Sequence, residues 1–321
     1  MYGSHLSIAG SLASALREAE RLRMDTVQVF TKNQQQWRVP PLLPSVVREW
    51  TAELDRLGWR GRTVSHASYL INLASPSDEL WEKSVGLMRA EIERCEALDI
   101  PFLVHHPGSP VGTGAENGIA RIVAAYRRLM TETRGFRTVC CLENTVGAGT
   151  TLGGRFEELA ALRARIAEAT GEDGRIGFCF DTCHAHAAGY NFAARQSAEA
   201  VLDEFDRVCG LQHLRVIHVN DSKAPAGSRL DRHAHIGEGT IGRGGLRRSG
   251  FAAVVARAGL RDVPKILETP KGKAPSGIDF DALNLRRLRK LGAGPEPIKA
   301  RRPGPRSVTV TIRRAPQAAR I

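Results

Sequence analysis

The chain has 321 residues, long enough for one large α/β domain or two ordinary ones, and its composition is typical of a globular protein. No apolar run approaches the roughly 20 residues of a membrane span, and nothing near Met1 resembles a signal peptide, which argues against a membrane or exported protein. The net charge of +12 favours a polyanionic partner, although an arginine-rich composition that only aids solubility fits the charge equally well.

Short apolar or β-branched runs alternate with longer amphipathic stretches, which predicts βα units and a parallel sheet. Strands are predicted at the amino terminus (MYGSHL) and at 26–30, 62–66, 101–106, 137–143, 176–181, 215–220 and 265–268. Helices are predicted at 12–22, 46–57, 80–98, 124–130, 156–169 and 283–290. Eight such units in fewer than 300 residues fit an α/β fold of the (β/α)₈ TIM-barrel type. A doubly wound open sheet is the alternative, but no GxGxxG follows the first strand.

The chain divides at about residue 293 by composition. We expect residues 1–293 to form the barrel domain and residues 294–321 to form a basic Pro/Arg-rich tail without fixed structure. Seven residues of this tail are Lys or Arg and one is Glu, so it carries half of the net charge. The six cysteines show no CxxC pair and mostly lie in apolar runs, which predicts buried thiols in a reducing cytoplasm.

Metal-binding side chains recur at the ends of the predicted strands. The run GFCFDTCHAHAAGYNF begins as a buried strand, stops at Asp181 and places His184 three residues later. The carboxyl ends of all barrel strands converge on one face, where barrel enzymes carry their active sites. Six strands end on such a residue, and two loops add three more: His66, His106, Glu143, Asp181, His218 and Glu268, with His184, Asp231 and His233.

Each of these residues has an ordinary structural explanation when it is taken singly. Together, however, four carboxylates on one face would repel each other unless cations neutralise them. Five imidazoles and four carboxylates suit zinc better than calcium or magnesium, with manganese possible at some positions. With one carboxylate shared between ions, nine ligands supply three ions and leave open positions for water and substrate.

Several motifs resemble the endonuclease IV family of apurinic/apyrimidinic (AP) endonucleases, across about residues 3–290. They are GSHLS, VFTKNQQQW, SHASYLINLASP, HHPGS, LENTVGAG, FDTCHAHAAGY, HVNDSK, GSRLDRHAHIGEG and LETPKG. The resemblance implies a trinuclear zinc site. It implies that His66 and His106 bind the first ion, that Glu143 bridges it to the second, and that Asp181, His218 and Glu268 complete the second. His184, Asp231 and His233 would hold the third.

The same resemblance implies a DNA repair enzyme of the base excision pathway, with Glu143 as its catalytic residue. It would hydrolyse the phosphodiester 5′ to an abasic site in double-stranded DNA, leaving a 3′-hydroxyl and a 5′-deoxyribose phosphate, and would also trim blocked 3′ ends. Two loops would enter the minor groove. The expected DNA contacts are Lys32, Gln35, Tyr69, Arg229 and Arg232. We expect a cytoplasmic monomer, associated with the nucleoid when on DNA and without membrane contact.

A different enzyme class is the runner-up. Glu143, Asp181, His218 and Glu268 alone resemble the single-metal site of xylose isomerase-like sugar isomerases and epimerases. That interpretation leaves the other five candidate ligands without a role, and it does not account for the basic body of the chain or for the KNQQQW loop. A non-catalytic DNA-binding module is a further alternative, but it would gain little from a full set of metal ligands.

Overall fold

The computed structural model describes residues 1–292, so the tail predicted at 294–321 lies outside the described residues. Each of the eight predicted strands is present, and a short antiparallel pair (β8 and β9) is added. The strands are Tyr2–Ser4 (β1), Gln28–Val29 (β2), Val64–His66 (β3), Phe102–His105 (β4), Val139–Glu143 (β5), Ile176–Asp181 (β6), Leu214–His218 (β7), Asp221–Ser222 (β8), His233–Ala234 (β9) and Lys265–Leu267 (β10).

The main sheet is a closed, parallel barrel. Its strands follow the order β1-β10-β7-β6-β5-β4-β3-β2, and a parallel bridge between His5 and Gln28 joins the two ends. The backbone N–H of Leu6 also donates to the carbonyl of Gln28 at 2.9 Å. The (β/α)₈ prediction is therefore confirmed, and the open-sheet alternative is wrong.

Most of the helices surround the barrel on its outer side. They are Leu12–Arg21 (α1), Pro44–Leu57 (α2), Asp78–Ala97 (α3), Ala115–Glu132 (α4), Phe156–Thr170 (α5), Thr182–Ala188 (α6), Arg195–Cys209 (α7), Gly250–Ala256 (α8) and Phe280–Gly292 (α9). Helix α4 begins well before the predicted 124–130, because Ile119, Ile122 and Tyr126 already form one buried face at helical spacing.

The barrel interior is filled by side chains and contains no pore. One layer consists of Val64, Val104, Cys141, Cys179, Val216 and Ile266, one residue from each of six strands. All six cysteines are buried and unpaired, as their sequence context predicts. Within residues 1–292, no helix is both long enough and apolar enough to cross a membrane.

Candidate metal centre

The nine predicted metal ligands meet at the carboxyl ends of the barrel strands. Six of them end a strand or directly follow one. The remaining three come from the segments after β6 and β7: His184 lies on α6, Asp231 precedes β9 and His233 begins β9.

The first ligand group is formed by His66, His106 and Glu143, whose candidate ligand atoms all lie within 4.8 Å of one another. Nε2 of His66 is 3.2 Å from Oε2 of Glu143, and Nε2 of His106 is 3.3 Å from the same oxygen. Two imidazole nitrogens thus face one carboxylate oxygen, which is an arrangement that one cation can occupy.

The second group combines Glu143, Asp181, His218 and Glu268, again within 4.8 Å. Nδ1 of His218 is 2.9 Å from Oε1 of Glu143, 3.2 Å from Oε2 of Glu268 and 3.9 Å from Oδ2 of Asp181. The two oxygens of Glu143 therefore face different groups, Oε2 the first and Oε1 the second. This is the geometry that a bridging carboxylate requires.

The third group contains His184 and His233, which lie with Asp181 in one cluster. Nε2 of His184 is 3.3 Å from Oδ2 of Asp231, and Nε2 of His233 is 3.2 Å from Oδ1 of Asp231. The carboxylate of Asp231 therefore lies next to both imidazoles. The structure adds Asp181, which belongs to both the second and the third group.

The short helix α6 explains how Asp181 and His184 come together. Asp181 is its N-cap, and its Oδ1 accepts a hydrogen bond from the backbone N–H of His184 at 2.8 Å. The cap starts the helix at the end of β6 and turns the His184 imidazole back over the barrel. The sequence predicted a loop here, because seven residues are too few for a helical period.

Backbone carbonyls set the tautomers of three of the histidines. Nδ1 of His66 lies 2.7 Å from the carbonyl oxygen of Ala67, and Nδ1 of His184 lies 2.9 Å from that of Asn144. Nδ1 of His233 lies 3.2 Å from the carbonyl oxygen of Glu268. When Nδ1 carries the donated proton, Nε2 is left as the free ligand atom.

Two side-chain amides that the sequence analysis did not single out support the second group. Oε1 of Gln28 accepts from Nε2 of His218 at 2.8 Å, and Nε2 of Gln28 donates to Oε1 of Glu268 at 2.7 Å. Asn220 donates to Oδ2 of Asp181 at 2.7 Å and accepts from the backbone N–H of Glu268 at 2.7 Å. Each amide thus holds two ligands at once.

His105 and His106 have different surroundings, as their alternation on the strand predicts. Nε2 of His105 lies 2.6 Å from the hydroxyl of Tyr126, and its Nδ1 lies 2.9 Å from the carbonyl oxygen of His106. Burial lowers the pKa of His105 to about 4. His105 is therefore a neutral structural residue, and His106 alone faces Glu143.

Buried charges control the protonation of the ligands. Burial would raise the pKa of Glu143, but His218 and His106 hold that pKa well below its usual value. Burial opposes protonation of His184, but Asp181 and the neighbouring carboxylates raise its pKa well above the usual value. His233 is likewise buried, but contact with Cys183 and the charge of Asp181 raise its pKa to about 10. Protons on His184 and His233 therefore offset the charge of the neighbouring carboxylates in the metal-free protein.

The donor set fits divalent cations. Nε2 of His233 is buried and makes no hydrogen bond, although it faces two carboxylates. A buried imidazole nitrogen without a hydrogen-bond partner destabilises the folded protein unless a ligand binds to it. Cations at the second and third groups would also replace the imidazole protons of His218, His184 and His233 that offset the carboxylates. The nine residues therefore offer a set of donor atoms that divalent cations can occupy.

The predicted DNA-contact residues lie around the same face, and all of them except Lys32 are exposed. Lys32 has a side chain that is only 1% exposed, and its ammonium donates to the carbonyls of Asn33 and Gln36 at 3.0 and 2.8 Å. This position argues against the predicted DNA contact of Lys32, because the ammonium supports the loop from inside. Gln35 is exposed on the same loop.

Tyr69 stands at the mouth of the metal centre and is 58% exposed. Its ring centroid is 5.1 Å from that of His66 and 6.0 Å from that of His106. It borders two clefts, one of about 340 Å³ that opens onto the first ligand group, and one of about 500 Å³ on the side of Glu268. Tyr69 is therefore placed to touch any ligand that reaches the metals.

Unpaired cations flank the third ligand group. Lys223, Arg229 and Arg232 are exposed, and none forms an ion pair with an acid among residues 1–292. Lys223 and Arg232 line a shallow cleft together with Asp231 and Glu268. Arg229 has a φ of 56°, a left-handed backbone conformation in the loop before β9. These side chains provide the positive charge at this edge of the site.

The fold and the site define a class of protein, the xylose isomerase-like TIM barrels, whose family model matches residues 16–288. Several solved sugar epimerases share the fold at low identity. A D-tagatose 3-epimerase-like protein superposes with a TM-score of 0.64 at 20% identity, over 90% of this chain and 96% of that one. Likeness at this level shows the barrel alone.

Relatives with higher sequence identity define the family within this class. A probable endonuclease 4 from Chloroflexus aurantiacus is 42% identical over 295 residues, which are 92% of this chain and 99% of that protein. Another from Geobacter sulfurreducens is 42% identical over 293 residues, 90% of this chain and 93% of that protein. Endonuclease IV from Thermus thermophilus superposes with a TM-score of 0.76 at 39% identity, over 90% of this chain and 98% of that one. The chain belongs to the endonuclease IV family.

Proposed function

We propose that this protein is a metal-dependent AP endonuclease that cuts double-stranded DNA on the 5′ side of an abasic site. The products would be a 3′-hydroxyl and a 5′-deoxyribose phosphate. The observation that carries the proposal is the convergence of nine ligands in three groups, of which the first and second share Glu143 and the second and third share Asp181. The relatives named endonuclease 4 and endonuclease IV support the same activity.

We further propose that the cofactor is three zinc ions, with manganese able to replace some of them. His66, His106 and Glu143 would hold one, and Glu143, Asp181, His218 and Glu268 a second. His184, Asp231 and His233 would hold the third. Imidazole and carboxylate ligands suit zinc. Bound divalent ions activate water for attack and neutralise charge on a phosphodiester during in-line displacement.

The protein's own residues would bind and orient the DNA around this centre. The cleft of about 340 Å³ is lined by His66, His106, His184 and Asp231, so a phosphodiester lying in it would meet the ligand groups directly. Arg229 and Arg232 would contact backbone phosphates beside it, and Lys223 would do the same. Gln35 and Tyr69 would contact the damaged strand from the rim.

Blocked 3′ ends form a second proposed substrate class, because their removal requires the same displacement at phosphorus. All nine ligands come from a single chain, so the site is complete without a partner copy, which supports the proposal of a monomer. A DNA substrate also fits the expected cytoplasmic, nucleoid-associated location.

A single-metal sugar isomerase or epimerase is the weaker alternative. Its minimal requirement, the group of Glu143, Asp181, His218 and Glu268, is present. The five remaining ligands have no role in that chemistry, and the epimerase structures share only the fold. The presence or absence of bound metal outside this four-residue group therefore separates the two functions.

A duplex oligonucleotide with one tetrahydrofuran abasic analogue tests the proposal. This analogue cannot undergo β-elimination, so a cut on its 5′ side reports hydrolysis. We expect a single cut at that position, giving a 3′-hydroxyl that a polymerase can extend, and no cut in the matched undamaged duplex. An intact analogue duplex, together with turnover of a ketose sugar, would favour the epimerase instead.

A further inference from the structure

A buried group of charged residues lies beneath the two rim loops, which we define as residues 31–40 and 68–75. The group consists of Lys32, Glu91 and Arg94, with exposed fractions of 4%, 1% and 8%. Glu91 and Arg94 belong to α3, on the outer layer of the barrel, and neither touches a metal ligand. We call these three residues the loop anchor. Charged side chains are rarely this buried unless they are paired.

Arg94 fixes both ends of the first rim loop. Its Nε donates to the hydroxyl of Thr31 at 3.1 Å, and its Nη2 donates to the carbonyl of Thr31 at 2.5 Å. Its Nη1 donates to the carbonyl of Pro40 at 3.0 Å. One planar guanidinium therefore joins the first and the last residue of the loop, and this rigid fork is what lysine lacks.

Lys32 and Glu91 hold the interior of the same loop. The ammonium of Lys32 donates to the carbonyls of Asn33 and Gln36 and lies 3.9 Å from Oε1 of Glu91. Oε2 of Glu91 accepts from the hydroxyl of Thr31 at 2.9 Å. The turn that exposes Gln35 is thus wrapped around a buried ammonium.

The second rim loop is tied to the first. The hydroxyl of Ser68 donates to the carbonyl of Gln34 at 2.5 Å. The Phe30 ring packs edge-on against Tyr69, with 5.8 Å between their centroids. Fixing the first loop therefore also fixes the second, which carries Tyr69.

We infer that Lys32, Glu91 and Arg94 are positioning residues that hold both rim loops in the shape that receives damaged DNA. The inference rests on the proposed function. A loop that is already ordered does not lose conformational freedom when DNA binds, so anchoring it strengthens binding. The anchor acts on affinity for abasic DNA and leaves the metal centre and its chemistry unchanged.

The chain contains a matched control at the opposite end of the barrel. Arg175 precedes β6 and is 6% exposed, close to the value for Arg94. It donates to the hydroxyl of Thr133 at 3.0 Å, to the carbonyl of Thr133 at 2.9 Å and to the carbonyl of Thr138 at 3.3 Å. Arg94 and Arg175 therefore each bind the hydroxyl and carbonyl of one threonine and one further carbonyl.

The experiment compares Arg94→Met with Arg175→Met as full-length, metal-loaded proteins. For each, we would measure thermal stability, metal content, affinity for a tetrahydrofuran duplex at fixed salt, and hydrolysis of bis(p-nitrophenyl) phosphate. Ser68→Ala is a third variant, which cuts the tie between the loops without removing a buried charge. We expect both arginine variants to lose stability similarly, because the lost contacts are similar.

Only Arg94→Met and Ser68→Ala, which disturb the rim loops, should lose DNA affinity. We expect Arg94→Met to raise the Kd for the abasic duplex about tenfold, and Ser68→Ala to raise it by a smaller factor. Metal content and hydrolysis of the small phosphodiester should match the unchanged protein. Equal loss of affinity in Arg94→Met and Arg175→Met, or no loss in either, would overturn the inference. If the unchanged protein shows no preference for the abasic duplex, the proposed function itself fails, and the inference fails with it.

Discussion

Nε2 of His218 lies 2.8 Å from Oε1 of Gln28, so the imidazole donates to an amide and keeps Nδ1 free for a metal. Gln28 also donates to Glu268, a second ligand of the same group. Its position depends on barrel closure, because Gln28 pairs with His5 where β1 meets β2. The strand pairing that closes the barrel thus also orients two metal ligands.

Gln28→Ala should weaken metal binding at the second group. Loss of such a supporting partner typically costs about 10- to 100-fold in metal affinity or activity. Metal content after dialysis against a graded chelator would measure the effect. Gln35→Ala removes the same side chain from an exposed loop and should leave metal content unchanged. Equal metal retention by Gln28→Ala and the unsubstituted protein would show that Gln28 does not support metal binding at the second group.

Glu143→Ala should lose metal and DNA incision together. Its two oxygens face different ligand groups, so one substitution disturbs two proposed metal positions. We expect the incision rate of Glu143→Ala to fall below about one-hundredth of that of the unsubstituted protein, because the neighbouring ligands cannot replace a carboxylate that serves two groups. Glu96→Ala, a carboxylate that accepts from the backbone of Arg137 and Thr138, is the control and should keep both properties. Full incision by Glu143→Ala would refute the bridging role.

Metal affinity should fall as the pH falls. Although burial opposes protonation, Asp181 and the neighbouring carboxylates raise the pKa of His184, and Cys179, together with two carboxylates, raises that of His218. The pKa of His233 rises to about 10 despite its burial. At neutral pH the metal-free protein therefore holds protons that a cation must displace, and affinity should keep rising with pH until about 10. Calorimetry of metal binding in two buffers of different ionisation enthalpy counts the released protons. Binding without proton release at pH 7 would contradict this prediction.

Arg229 and Arg232 should contribute to DNA binding through charge alone. Each is exposed near the third ligand group, and neither pairs with an acid in residues 1–292. Removing one phosphate contact should lower the slope of log K against log salt by about one. Arg127→Ala changes an exposed arginine near the carboxyl end of α4 and should leave the slope unchanged. If Arg127→Ala changed the slope equally, the effect would come from the net charge of the protein and not from phosphate contacts of Arg229 and Arg232.

Deleting residues 294–321 should leave the chemistry intact but weaken DNA binding at moderate salt. The segment carries half of the net positive charge of the chain. Fluorescence anisotropy over a range of salt concentrations, with incision measured at saturating protein, separates binding from catalysis. An unchanged salt slope would make the tail inert in DNA binding.

The barrel and its ligands were predictable because they depend on local pattern and strand direction. Parallel strands all end at one face, so a list of strand-end residues already gives the metal centre, including His66, Glu143 and His218. Asp231 and His233 were also predictable, because their spacing places both side chains on one side of an extended segment.

Other features depend on distant partners and could not be predicted in this way. Gln28 lies inside an apolar run, and only closure of the barrel brings it to His218. The supporting role of Asn220 can be recognised only from its hydrogen bond to Asp181. The sequence of the loop that contains Lys32 predicts DNA binding. Lys32 is nevertheless buried beside Glu91 of α3, and no local sequence pattern links these two residues. Polar contacts between remote segments are set by packing.

Measuring bound metal and incision on one preparation tests the proposed three-metal site directly. Divalent ions per chain would be quantified while a chelator removes them stepwise, and each fraction would be tested on the tetrahydrofuran duplex. We expect about three ions per chain at the start, in agreement with three ligand groups, and incision that disappears as they leave. One ion per chain without incision, or incision that persists in the metal-free fraction, would rule out metal-dependent cleavage at a three-metal site.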